Sequence, residues 1–138
     1  MDKSNEFRRN RHVVFHLHVH LVFVAKYRHD IFTEEIMSAL KPIFAKVCGD
    51  FDSALIETNG EQDHVHLLVH YPPQVSISKL VNSLKGASSR LLRKNFPEVR
   101  KHYWRGTLWS PSYFAASCGG APLDVVAEYI RTQAPPTD

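Results

Sequence analysis

The sequence predicts an α+β domain: an antiparallel sheet in βαββαβ order, helices on one face, and an extra helix at the C-terminus. Three observations carry that reading. Runs rich in Val, Phe and Leu mark strands at residues 12–27, 53–58, 64–71 and 108–117. Two segments with apolar residues at helical spacing lie between the first and second strands and between the third and fourth. A further helical segment, 123–133, closes the chain before Pro135 and Pro136.

The first strand, HVVFHLHVHLVFVAKY, is long enough for the sheet centre. Thr33 then caps EEIMSALKPIFAKV, where Ile36, Leu40, Ile43 and Val47 keep helical spacing and Pro42 removes a backbone bond. SALIET is a short strand, and NGEQ reads as a hairpin turn because Asn-Gly supplies positive φ angles. HVHLLVHY returns antiparallel to it and stops at Pro72-Pro73. In the helix at 76–96, Ile77, Leu80, Val81, Leu84, Leu91 and Leu92 share one side. After a loop, LWSPSYFAAS is the fourth strand, with Pro111 favouring an edge or its start. CGGAP is a loop, and LDVVAEYIRTQ is the last helix. This is the ferredoxin-like arrangement with a C-terminal addition.

The 138 residues suit one domain over 12–138, preceded by a flexible basic arm over residues 1–11 whose Arg8, Arg9 and Arg11 either contact DNA or form a solvated tail. Lys and Arg number 17 against 14 Asp and Glu, which permits a polyanionic partner without requiring one. Cys48 and Cys118 form no CxxC spacing, so neither a zinc site nor a disulfide framework is expected. The first residues contain no apolar targeting core, and no run approaches the about 20 apolar residues of a membrane span. A cytoplasmic protein is expected.

The histidines carry the chemistry. Side chains alternate across a strand, so His64 and His66 share a face and two neutral imidazoles there can hold one divalent metal. Asp63 beside them can orient a ring nitrogen. His16, His18 and His20 are an equally good set by spacing, and His70 continues the His64 face. Tyr129 and Gln133 stand one helical turn apart, offering a phenol and a carboxamide oxygen together. A packing tyrosine and a solvated glutamine explain that pair equally well. On the helix at 76–96, Lys85, Arg90 and Arg93 suit phosphate contacts, as do Lys79 and Lys94 if not simply solvated. Trp104, Trp109 and Tyr113 can stack on unpaired bases, although Trp109 and Tyr113 read better as core.

Taken in order, NGEQDHVHLLV, LVNSLKGASSRLLR, LWSPSYF and YIRTQ resemble the TnpA-type transposases of the smallest bacterial insertion sequences. These belong to the HUH superfamily, with one catalytic tyrosine. HLVFVAKYRHDIF looks like their first strand and its exit, so the resemblance spans roughly residues 13 to 133. It implies His64 and His66 as metal ligands rather than His16, His18 and His20. It further implies Gln133 as third ligand, Tyr129 as nucleophile, and Mg²⁺ or Mn²⁺ as cofactor. Imidazole ligands favour Mn²⁺, and cellular supply favours Mg²⁺. The implied reaction cuts and rejoins single-stranded element ends through a 5′-phosphotyrosine. Implied partners are hairpins near those ends and a second subunit that shares the active sites. The chain contains no phosphate-binding GxxxxGK loop. The alternatives are a non-catalytic ferredoxin-like nucleic-acid-binding protein, and a rolling-circle initiator or relaxase, whose catalytic domains are longer.

Overall fold

The computed structural model describes residues 8–9, 13–117 and 123–133. Most expectations for residues 1–11, and those for the CGGAP loop, lie outside this set. A two-stranded ribbon, β1 (Arg8–Arg9) with β2 (Val14–Phe15), precedes the main sheet. That sheet contains β3 (His18–Val24), β4 (Ala54–Gly60), β5 (His64–His70) and β6 (Phe114–Ser117) in the order β4-β5-β3-β6, every pair antiparallel. The helices are α1 (Glu34–Asp50), α2 (Ile77–Asn95), α3 (Pro97–Tyr103) and α4 (Leu123–Thr132). This is the predicted βαββαβ sheet with its added helix.

Period-two patterning divides the sheet into two faces. Val19, Leu21 and Phe23 of β3 pair in register with Val69, Leu67 and Val65 of β5, and all six belong to one buried core beneath α1 and α2. α1 adds Ile36, Leu40 and Phe44, and α2 adds Leu80, Val81, Leu84 and Leu92. Both helices start at a side-chain cap: Thr33 Oγ1 accepts from the Ile36 amide at 3.2 Å, and Ser76 Oγ accepts from the Lys79 amide at 3.3 Å. The opposite face takes the alternate residues, with His18, Val22 and Val24 paired to His70, His66 and His64.

Four local expectations change. The run 12–27 is two strands, because the chain switches from pairing with β1 to pairing with β5 between Phe15 and His18. The turn is Glu61–Asp63, with Asn59 and Gly60 still paired to His66 and Val65. The carbonyl of Gln62 accepts from Ile31 and Phe32, both at 3.0 Å, and the carbonyl of Asp63 accepts from Ala25 at 2.9 Å. These distant amides draw the turn out beyond a two-residue Asn-Gly hairpin. Gly60 is required for close approach: a Cβ there would stand 2.4 Å from the His64 carbonyl oxygen.

Of the run 108–117, only Phe114–Ser117 is regular strand, and Trp109 makes a single bridge to Ala25. The rest is held by α2. The Trp109 indole donates to Ser88 Oγ at 2.9 Å, and the Leu108 amide donates to Ser89 Oγ at 3.0 Å. The loop expected after residue 96 contains α3, which opens with Pro97 and buries Val99 and Tyr103, an i, i+4 pair. Arg100 of α3 donates to the carbonyls of Arg93 and Lys94 at the end of α2, at 2.9 and 3.2 Å.

Candidate active site on the histidine face

The turn into β5 puts Asp63 beside His64. Asp63 Oδ1 lies 2.8 Å from His64 Nδ1, and Oδ2 accepts from Arg28 Nε at 3.1 Å. The carboxylate therefore fixes the imidazole and leaves Nε2 as its outward nitrogen. The His64 and His66 rings stand 5.0 Å apart between centroids. Val65 between them points into the core on the other side.

His66 has a partner that sequence spacing did not suggest. Its Nδ1 lies 3.1 Å from His20 Nε2, and the two rings stack at 5.3 Å. Burial, followed by the neighbouring His64 and His20, holds the His66 pKa down at about 4. His66 is thus neutral at pH 7, the form that binds a metal. The His16–His18–His20 run is divided between two neighbours: His20 serves His66, while His18 stacks on His70 at 4.5 Å. Strand register decides this, so residue spacing alone carried no signal for it.

The last helix lies over this same face. Ile130 packs with Val22 and Val24, the residues paired with His66 and His64. Tyr129 joins that cluster, its ring 5.6 Å from Phe114, and its hydroxyl is 2.8 Å from Ser112 Oγ. Burial raises the Tyr129 pKa, partly offset by the Ser112 hydrogen bond. Gln133 Oε1 accepts from Ser110 Oγ at 2.7 Å and from Ser112 Oγ at 3.1 Å. Ser110 is anchored in turn by its amide, which donates to the Val24 carbonyl at 2.8 Å.

Ser110 and Ser112 were not singled out in the sequence. Lys85 connects them to α2: its ammonium donates to the carbonyls of Ser110 at 2.8 Å and Ser112 at 2.7 Å. Burial pushes the Lys85 pKa down to about 8. Arg90 is exposed, whereas Arg93 Nε donates to the Ser89 carbonyl at 3.2 Å. Trp109 is core at 1% exposure, and Trp104 is 64% exposed.

The donor chemistry suits a divalent ion. Among the described residues, no three His, Cys, Asp or Glu side chains form a metal-holding group, so a metal on the two imidazoles would take a third ligand of another kind. The Gln133 carboxamide, carried by the helix over this face, would be an oxygen donor of that kind on giving up its hydrogen bonds from Ser110 and Ser112.

The chain thus has an antiparallel ferredoxin-like sheet with paired histidines on one face, and a tyrosine-bearing helix packs on that face. The IS200-like transposase family matches residues 13–133, and the chain belongs to that family. It is 33% identical to the ISDra2 transposase TnpA of Deinococcus radiodurans over 128 residues, 93% of this chain and 91% of that protein. It is 30% identical to the transposase for insertion sequence element IS200 of Salmonella typhimurium, over 88% of this chain and 80% of that one. A solved Deinococcus radiodurans R1 protein assigned as a transposase superposes with TM-score 0.84 at 32% identity, covering 93% of this chain and 98% of its own. A REP-associated tyrosine transposase solved with a REP hairpin shares the fold alone, with TM-score 0.53 at 13% identity, covering 91% of this chain and 68% of its own. Among the described residues, no helix is long and apolar enough to cross a membrane.

Proposed function

We propose that the chain cuts and rejoins single-stranded insertion-sequence ends by transesterification through Tyr129. The observation that carries this reading is the packing of Ile130 on Val22 and Val24, which sets the tyrosine-bearing helix on the face that holds His64 and His66. The Tyr129 oxygen attacks the phosphorus, the bond from phosphorus to the 3′ oxygen breaks, and a 5′-phosphotyrosine and a free 3′-OH result. The phenol loses one proton and the departing oxygen gains one. Because the phosphotyrosine keeps the energy of the broken bond, attack by a 3′-OH reseals DNA without ATP.

His64, His66 and Gln133 would hold Mg²⁺ or Mn²⁺, which supplies polarisation of a non-bridging phosphate oxygen when bound. Asp63 orients His64, and burial keeps His66 uncharged. The Tyr129 phenol is protonated at neutral pH, since burial raises its pKa further. The Ser112 hydroxyl is the nearest group to receive its hydrogen bond. Arg90 and Arg93, on the helix bearing Lys85, would contact DNA phosphates. Hairpins near the element ends, the kind of ligand held by the REP-associated neighbour, and a homodimer with shared active sites complete the reading.

The test mixes the protein with labelled single-stranded end DNA and Mn²⁺ and resolves the products on a denaturing gel. A covalent adduct is expected from the native chain and none from Tyr129→Phe, with hairpin binding retained. An adduct that persists in Tyr129→Phe would assign the chemistry to another nucleophile.

A further inference from the structure

The segment leaving β3 meets the segment following α3 around a cavity of about 280 Å³. Lys26, Tyr27, His102, Trp104 and Arg105 line it, and none of its described lining residues is Asp or Glu. Trp104 is 64% exposed. The Arg105 guanidinium lies 4.6 Å from the Trp104 ring centroid, and the Lys26 ammonium lies 5.4 Å from that of Tyr27. His102, in the lining, stacks on His29 at 4.5 Å.

The backbone holds this arrangement under strain. Tyr27 and Arg28 adopt φ of 64° and 55°, a left-handed conformation that side chains with a Cβ rarely accept. It is kept by contacts on both sides. Tyr103 Oη donates to the Lys26 carbonyl at 2.6 Å, and the Lys26 amide donates to the Leu108 carbonyl at 2.8 Å. The result leaves Tyr27 38% exposed beside an exposed tryptophan.

The cavity also adjoins the histidine site. Ala25, immediately before Lys26, donates to the Asp63 carbonyl at 2.9 Å. The Asp63 carboxylate joins His64 to Arg28, two residues beyond Lys26. Two hydrogen bonds, Arg28 to Asp63 and Asp63 to His64, therefore connect the segment that lines the cavity to the histidine pair.

Aromatic faces and cations in a lining without Asp or Glu match the chemistry of an unpaired nucleotide: the base stacks and the phosphate meets the cations. A paired base is unavailable for such stacking. We infer that this cavity binds one unpaired nucleotide of single-stranded DNA adjoining the cut phosphate, its base on Trp104 and its phosphate at Lys26 and Arg105. The choice of DNA rests on the transposase reading, whereas the position rests on the cavity itself.

Fluorescence tests it directly, since the chain has two tryptophans and the other, Trp109, is buried. Short oligo(dT) should quench emission from the native protein and from Tyr129→Phe equally. In Trp104→Ala, the remaining Trp109 signal should be unquenched, and anisotropy with labelled oligo(dT) should show affinity weakened about ten-fold or more. Arg105→Gln should flatten the salt dependence of binding. The inference is overturned if Trp104→Ala binds oligo(dT) as well as the native chain does. It also falls if a blunt duplex competes as well as oligo(dT), or if oligo(U) binds tighter. Adduct formation scored in the same samples separates the two readings. Affinity lost with Trp104 in a protein that forms no adduct upholds the cavity and removes the transposase chemistry. Adduct with unaltered Trp104→Ala affinity removes the cavity.

Discussion

The hydroxyl of Ser112 lies 2.8 Å from the hydroxyl of Tyr129 and also donates to Gln133 Oε1 at 3.1 Å. A serine hydroxyl has one proton to give. With that proton directed at Gln133, the tyrosine must donate to Ser112. One side chain thus holds the phenol and the carboxamide of the proposed site, and Lys85 holds the Ser112 carbonyl from α2 at 2.7 Å.

Removing those hydroxyls should loosen the end of the last helix. The part-buried hydrogen bond from Ser110 to Gln133 stabilises by about 1 kcal/mol and the exposed ones of Ser112 by less, so Ser110→Ala with Ser112→Ala should speed amide exchange at Ile130–Gln133 by about five-fold. Exchange within β3 and β5 should be unchanged. Mass-spectrometric hydrogen exchange reads both regions, and equal protection in the double variant would show that apolar packing of Ile130 alone seats the helix.

The two histidine groups should respond differently to substitution. His64→Ala and His66→Ala should eliminate strand cutting while leaving oligonucleotide binding. His18→Ala should leave cutting nearly intact and instead lower stability by roughly 1–3 kcal/mol, since a buried ring stacked on His70 is lost. Asp63→Asn should fall between them, weakening Mn²⁺ affinity by about 10- to 100-fold through loss of the carboxylate that orients His64. Calorimetric Mn²⁺ titration and urea melts separate these effects, and the reverse ranking of His18 and His64 would move the site.

Lys85 makes a prediction in pH. Burial lowers its pKa from 10.5 to about 8. Between those values the unfolded chain binds the proton that the folded chain has shed, so this group adds stability as pH rises. Below pH 8 the folded protein instead bears the full cost of keeping a half-buried charge. The stability of the native chain relative to Lys85→Met should therefore grow from pH 8 to pH 10.5. Urea midpoints measured across that range check it, and a constant or shrinking difference would contradict a lowered pKa.

Sharing of active sites between subunits is tested by mixing defects. His64→Ala and Tyr129→Phe should each be inactive alone. If the last helix of one subunit serves the histidines of the other, co-expressed heterodimers should recover up to about half of native cutting, having one intact composite site of two. No recovery in heterodimers verified by dual tags would restrict each tyrosine to its own chain.

Much of this molecule was legible in local pattern. The alternation of HVHLLVH put His64 and His66 on one face and Val65 in the core, as the sheet has them. Helical spacing found the buried face of α2, and the i, i+4 separation found Tyr129 and Gln133 together. α3 was missed although Pro97 and the Val99–Tyr103 pair signal it, because seven residues give too few turns to set a periodicity. Lys85 lies on the flank of a basic helix, and only the fold shows its ammonium turned to two carbonyls rather than left wholly to solvent.

Residue identity and spacing, which act over one turn or one pleat, determined the order of the main strands and longer helices and placed His64 with His66 and Tyr129 with Gln133 from sequence alone. Tertiary structure decided which histidine meets which, where the β4–β5 turn falls, and that Ser110 and Ser112 hold the tyrosine helix. Those outcomes depend on strand register and on hydrogen bonds between segments far apart in the chain. No local pattern encodes such contacts, because each partner is chosen only when the sheet assembles.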